Sequence, residues 1–159
     1  MVFRVLDATA FYAGLPFRSH DRYHITDIVY NEIQHIKKNH DAIQILIDTK
    51  RLLIQQPNHI HVKKAKDTAE KTGDLTSLSN EDISSIALSL ELEAELLTDD
   101  FAVSNVARNL GIEVIPIMTK GIKTVGRWIH YCSACGISSK KLTCANCGNK
   151  LTKKLITEN

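Results

Sequence analysis

All four cysteines of this 159-residue chain fall in its last quarter. They form two Cys-x2-Cys pairs, Cys132/Cys135 and Cys144/Cys147, with eight residues between the pairs and a glycine after each second cysteine. No other feature restricts the fold as strongly. Thiol pairs at this spacing mark a four-thiolate zinc site, in which each pair is a tight turn offering two sulfurs to one ion. Gly136 and Gly148 let the backbone take positive φ and fold back over the metal. The alternative, two disulfides, needs an oxidising compartment. The chain opens Met1-Val-Phe-Arg4-Val-Leu-Asp7, with a charge at its fourth residue instead of an apolar signal segment. The expectation is structural Zn²⁺ in a small C-terminal module, on a chain that works in the cytoplasm.

The length allows one core of about 120 residues beside that module. An apolar content of 43% suits a globular domain, and the uncharged stretches are too short to cross a bilayer. The net charge of +2 hides an asymmetry. From Thr119 onward, eight Lys/Arg face one acid, a net of +7, while residues 1–118 carry a net of −5. Four thiolates around Zn²⁺ lower the tail to about +5. A basic module on an acidic body predicts that the tail grips a polyanion; a merely solvated lysine face is the plainer alternative. The shift divides the chain into a body at 1–119, a linker at 120–127 containing Gly121 and Gly126, and a ribbon at 128–159.

Along the body, residues 2–6 read as a buried strand ending on Asp7, and residues 8–13 as a short helix. Gly14 to Ile25 reads as polar loop. Thr26 caps a helix running to about Lys37, with Ile28, Val29, Ile33 and Ile36 on one face. A second helix runs from Asp41 to about Leu53, and His59–Val62 reads as a short strand. Lys63–Thr72 is helical and stopped by Gly73. Ser79 caps a further helix, Ala94–Thr98 is a strand, Phe101–Leu110 a helix closed by Gly111, and Ile112–Ile117 a last strand. This order predicts an α/β body with a parallel sheet flanked by helices, followed by the zinc ribbon.

Four acids sit awkwardly in a purely structural reading. Asp7 follows a buried strand, where ligands gather in parallel sheets, although first-turn acids are common at helix starts. Glu32 shares the apolar face of Val29 and Ile36; a carboxylate there costs several kcal/mol unless paired, or else it is a rim residue reaching water. Asp82 fits a capping box with Ser79. Asp99 or Asp100 fits a helix cap, yet Asp100 also lies beyond a strand end. Gathered on one sheet edge, these carboxylates would repel and raise one another's pKa, a difficulty that an oxygen-bound Mg²⁺ or Mn²⁺ removes.

The stretches Val5-Leu-Asp7-Ala-Thr9, Asn31-Glu32-Ile33, Leu78-Ser-Asn-Glu-Asp82-Ile and Leu97-Thr-Asp-Asp100-Phe resemble the four acidic motifs of PIN-domain ribonucleases. With the cysteine ribbon behind them, the chain is similar to the archaeal NOB-type ribosome-assembly endonucleases, which trim the 3′ end of small-subunit ribosomal RNA. The resemblance implies a parallel sheet flanked by helices, with Mn²⁺ or Mg²⁺ held by Asp7, Glu32, Asp82 and Asp100. It also implies that Thr9 and Asn105 assist the site, and that Asp99 is secondary to Asp100. The implied partners are the small-subunit rRNA precursor, the pre-ribosomal subunit and an assembly-factor protein.

The expected chemistry is metal-assisted hydrolysis of an RNA phosphodiester, in which a divalent cation activates water and stabilises the leaving oxygen. The seven histidines are scattered without metal spacing, and His59 and His61 alternate on the expected strand. Lys140, Lys141, Lys150, Lys153 and Lys154 would hold phosphates. Trp128 and Tyr131 would stack on bases or pack across the domain boundary. Two other readings stay open: a non-catalytic RNA-binding assembly factor whose acids are only helix caps, and a toxin-type PIN ribonuclease with a different RNA target.

Overall fold

The computed structural model of the protein describes residues 2–36, 40–118, 126–139 and 141–157. At the centre of the body is a five-stranded sheet of β1 (Arg4–Leu6), β2 (Tyr23–Thr26), β3 (Leu52–Gln55), β4 (Glu95–Leu97) and β5 (Val114–Ile115). The strands lie in the order β3-β2-β1-β4-β5, and every pairing is parallel. Side chains alternate across a strand. Val5 and Leu96 therefore enter one core, with Ile83, Ile86, Val103 and Val106, while Leu6 and Leu97 enter another, with Phe11, Val29, Ile33 and Leu46. Helices α5 (His59–Thr72), α6 (Asn80–Leu92) and α7 (Phe101–Asn109) supply the first layer; α1 (Ala8–Tyr12), α3 (Asp27–Ile33) and α4 (His40–Asp48) supply the second.

After β3 the chain crosses back to the far side of β1 to form β4. The strand order therefore reverses between β1 and β4, and open parallel sheets place their ligand crevice outside the carboxyl ends of such a pair. The register pairs Leu6 with Leu97, so Asp7 and Thr98 are the first residues beyond the two strands. Connecting helices run antiparallel to the strands they join, which brings the N-termini of α1, α6 and α7 to the same edge.

Four local expectations are corrected. The segment read as loop from Gly14 to Ile25 contains α2 (Leu15–Arg18) and strand β2. All four residues of β2 are buried, so no polar/apolar alternation marks it, and its polar members are satisfied internally: His24 Nδ1 lies 2.8 Å from Gln55 Oε1, and Thr26 Oγ1 lies 2.7 Å from Ser84 Oγ. The helix expected to reach Leu53 ends at Asp48, and Leu52–Gln55 is a strand. Lys50 takes φ +55°, and Arg51 N–H donates to Leu46 O while Lys50 N–H donates to Ile47 O. This is a Schellman closure without the usual glycine. His59–Val62 is the first turn of α5, capped by the Asn58 side chain, which accepts from Ile60 N–H at 3.0 Å. His59 and His61 thus lie on a helix. α3 also stops at Ile33, short of Lys37, which lies outside the described residues.

The C-terminal module is a three-stranded antiparallel sheet, β7 (Ser138–Ser139), β6 (Gly126–Tyr131) and β8 (Thr152–Thr157), in the order β7-β6-β8. Residues 120–125 of the expected linker lie outside the described residues, whereas Gly126 and Arg127 already belong to β6. Among the described residues no helix is long and apolar enough to cross a membrane.

Candidate active site

Asp7 anchors the sheet edge. It is 2% exposed and caps α1, accepting from Ala10 N–H at 3.3 Å. The Thr9 hydroxyl donates to its Oδ1 and the Thr98 hydroxyl to its Oδ2. Thr98 Oγ1 accepts in turn from Asp100 N–H at 3.0 Å, which ties the end of β1 to the start of α7. Asp100 caps α7, accepting from Val103 N–H at 3.0 Å. Asp82 and Ser79 form the expected capping box on α6: Ser79 N–H donates to Asp82 Oδ2 at 2.8 Å, and Asp82 N–H donates to Ser79 Oγ at 3.1 Å. Three of the four acids are therefore helix caps, as a structural reading requires, and they still lie within electrostatic reach of one another through Asp82. Caps sit at helix N-termini, these N-termini share one edge, and the positive ends of the helix dipoles suit clustered anions.

The electrostatics show this convergence. Burial pushes the Asp7 carboxyl up to about 6; the Thr9 and Thr98 hydroxyls and the Ala10 N–H pull against it, and the charge of Asp82 adds to the rise. Burial also raises Asp82, with further upward pushes from Asp100 and Glu81. Glu32 is half-buried on α3 and raised by burial, then by the charges of Glu81 and Asp82, while the Tyr12 hydroxyl hydrogen-bonds it and pulls it down. Asp82 is thus the hub, within electrostatic reach of Asp7, Glu32 and Asp100. Such a set is short of positive charge, and its donors are oxygens only, the chemistry preferred by Mg²⁺ or Mn²⁺. Among the described residues these carboxylates do not gather as closely as the cysteine sulfurs do.

Asp99 points elsewhere, accepting from Ile117 N–H at 2.8 Å and Met118 N–H at 2.9 Å and so pinning the chain after β5. Thr9 touches Asp7 directly. Asn105 does not join the acids: its hydrogen bonds run to Asp74 and Gly126 on the side of α7 that meets the ribbon. Thr98, Tyr12 and Glu81 went unremarked in the sequence as site residues. Glu81 could have been suspected as a second acid beside Asp82, and Thr98 as the register neighbour of Asp7, but only the fold reveals Tyr12.

In the ribbon the four thiols are unbridged, and their sulfurs lie within 4.8 Å of one another. Cys132 Sγ is 3.5 Å from Cys147 Sγ, close to the roughly 3.8 Å that a tetrahedron of 2.3 Å Zn–S bonds requires. The two pairs are built alike. Cys132 N–H donates to Ile137 O and Gly136 N–H to Cys132 O; Cys144 N–H donates to Asn149 O and Gly148 N–H to Cys144 O. Gly136 and Gly148 have φ of +70° and +75°, the conformation the sequence asked of them. Lys141 and Lys150 are exposed, and Lys140 lies outside the described residues. Lys153 Nζ sits 4.7 Å over the Trp128 ring and Lys154 Nζ 5.8 Å over Tyr131, so the two adjacent lysines serve opposite faces of the ribbon.

A parallel sheet with acids at its topological reversal, capped by converging helices, is the architecture of a metal-dependent nuclease. The chain matches the family described as the PIN domain of ribonuclease over residues 4–92, and it belongs to that family. Its likeness extends through the ribbon. It is 32% identical over 156 residues to the endoribonuclease Nob1 of Pyrococcus abyssi, covering 96% of this chain and 92% of that one. It is 33% identical over 161 residues to Nob1 of Methanocaldococcus jannaschii, covering 98% of this chain and 79% of the relative. Ribonuclease VapC1 of Thermoplasma acidophilum is 34% identical over 103 residues, 65% of this chain and 53% of that protein.

Proposed function

We propose that the protein is a metal-dependent endoribonuclease that matures the 3′ end of the small-subunit rRNA precursor during ribosome biogenesis, acting in the cytoplasm on a pre-ribosomal particle. The nuclease body comprises residues 1–119 and the ribbon residues 126–159, because Gly126 and Arg127 of the expected 120–127 linker belong to β6. The observation that carries this reading is the placement of Asp7 and Asp100 beyond the paired ends of β1 and β4, tied together through Thr98, with Asp82 within electrostatic reach of Asp7, Glu32 and Asp100. Likeness to Nob1 endoribonucleases across both parts of the chain supports it. The toxin-type alternative accounts less well for a basic zinc ribbon.

Asp7, Glu32, Asp82 and Asp100 would hold Mn²⁺ or Mg²⁺, which when bound supplies an activated water and charge stabilisation for the leaving oxygen. Thr9 and Thr98 fix both oxygens of Asp7, so the carboxylate is oriented before the cation arrives. The α6 capping box does the same for Asp82. The scissile phosphate, itself anionic, can approach this acidic edge only with the cation in place. Cys132, Cys135, Cys144 and Cys147 would hold Zn²⁺ as a scaffold, with Lys140, Lys141, Lys150, Lys153 and Lys154 contacting phosphates without reading sequence.

The test is cleavage of an RNA spanning the small-subunit 3′ end. Manganese-dependent cutting that Asp7→Asn abolishes is expected. Binding of that RNA without cutting at any Mn²⁺ concentration would instead identify a non-catalytic assembly factor.

A further inference from the structure

Asn105 is completely buried on α7, the helix that begins at Asp100. Its side chain donates from Nδ2 to Gly126 O at 2.8 Å and to Asp74 Oδ2 at 2.7 Å, and its Oδ1 accepts from Gly126 N–H at 3.0 Å. Both amide hydrogens and the carbonyl oxygen are thus engaged. Asp74 is itself 1% exposed and also accepts from the Thr72 hydroxyl at 2.7 Å. A carboxylate can only accept here, so it fixes which way the Asn105 amide faces. The amide then grips both backbone polar groups of Gly126, the first residue of the ribbon, as a neighbouring strand would. Asn109, one turn on, donates to the same Gly126 O at 3.2 Å.

The same joint is packed at two further points. Phe101, next to Asp100, meets the Trp128 ring edge-on with centroids 6.3 Å apart. Gly73, at φ +80°, lies so close that a Cβ there would come within 2.5 Å of Trp128 O. Five residues of α-helix separate Asp100 from Asn105, about 7.5 Å along the axis. The ribbon therefore holds the very helix whose start carries a site carboxylate.

We infer that Asn105 is a positioning residue: with Asn109, Asp74 and Trp128 it locks the ribbon onto α7 and fixes the distance from the ribbon's phosphate-contacting surface to the four carboxylates. The cut is then placed by a rigid span rather than by base reading. This deepens the proposed nuclease reading and rests on it for its consequence, but not for the lock itself.

Trp128 is the only tryptophan in the chain, so its fluorescence reports the joint directly. Asn105→Ala, and Asn109→Ala at the exposed end of the helix, are compared with the wild type, all zinc-loaded. Both variants are expected to shift Trp128 emission to the red, Asn105→Ala more strongly. On an RNA long enough to reach the ribbon, KM rises about tenfold at unchanged kcat, because an undocked pair of modules loses its pre-set geometry. A short oligonucleotide confined to the body is cut as before. Unchanged emission in both variants overturns the lock; should Asn105→Ala fail to fold, Asn109→Ala alone decides. Equal loss on short and long RNA would make Asn105 an assistant of the cleavage site instead. Failure of the wild type to cut any RNA sinks the nuclease reading and leaves the emission result standing.

Discussion

Replacing Asp7 by asparagine is expected to stabilise the protein at pH 8 in the absence of Mg²⁺ and Mn²⁺, and to leave it no more stable at pH 4.5. Burial raises the carboxyl from an ordinary 3.8 to about 6. The folded state therefore holds a proton that the unfolded chain has released between about pH 4 and 6, so stability falls as pH rises through that window. Above it, keeping Asp7 ionised costs about 3 kcal/mol. Asparagine never ionises, but it offers one acceptor oxygen where Asp7 offers two to the Thr9 and Thr98 hydroxyls. Thr98 Oγ1 already accepts from Asp100 N–H and cannot easily turn its hydrogen elsewhere. One lost hydrogen bond costs about 1 kcal/mol. The net gain at pH 8 is about 2 kcal/mol, or roughly 4–8 °C in Tm for a chain of this size. At pH 4.5 the two effects cancel. The assay is thermal unfolding of zinc-loaded protein at both pH values, with and without Mn²⁺. Added Mn²⁺ stabilises the wild type and leaves Asp7→Asn unmoved. Equal destabilisation of the variant at pH 4.5 and pH 8 would refute the reasoning, because the penalty would then not arise from a buried charge.

Asp100→Asn should abolish cleavage while Asp99→Asn leaves kcat intact, since Asp99 holds the backbone of Ile117 and Met118; steady-state kinetics on one RNA separates them. Cys144→Ser, or chelation of zinc, should unfold the ribbon and leave the body's cooperative melt in place, because among the described residues the ribbon's buried cluster is Cys132, Cys144 and Leu151 with Cys135 against it; calorimetry would show one transition surviving. Lys154→Ala should weaken RNA binding and lower the steepness of its salt dependence by about one counterion, read from affinities across a salt series.

Much of the site was legible because its signals are local. A threonine or serine before an acid at a helix start is visible in Ser79-Asn-Glu-Asp82 and Thr98-Asp-Asp100, and the cysteine knuckles announce their own turns. Glu32 was visible as an acid out of place on an apolar face. The losses are equally physical. Strand β2 escaped notice because His24 and Thr26 are polar residues buried by specific partners. Strand β3 was absorbed into a helix because the turn before it uses Lys50 at positive φ, where glycine would have signalled a stop. The role of Asn105 depends on which side of α7 meets the ribbon, a long-range fact that no local spacing encodes.

The claim on which everything turns is that Asp7, Glu32, Asp82 and Asp100 together bind one kind of hard cation. Anomalous scattering from crystals grown with Mn²⁺ tests it most directly. The account predicts a manganese peak in the space these four carboxylates face, absent from Asp7→Asn crystals, with a separate zinc peak at the cysteines in both. That space empty at saturating Mn²⁺, with manganese bound elsewhere, would contradict it.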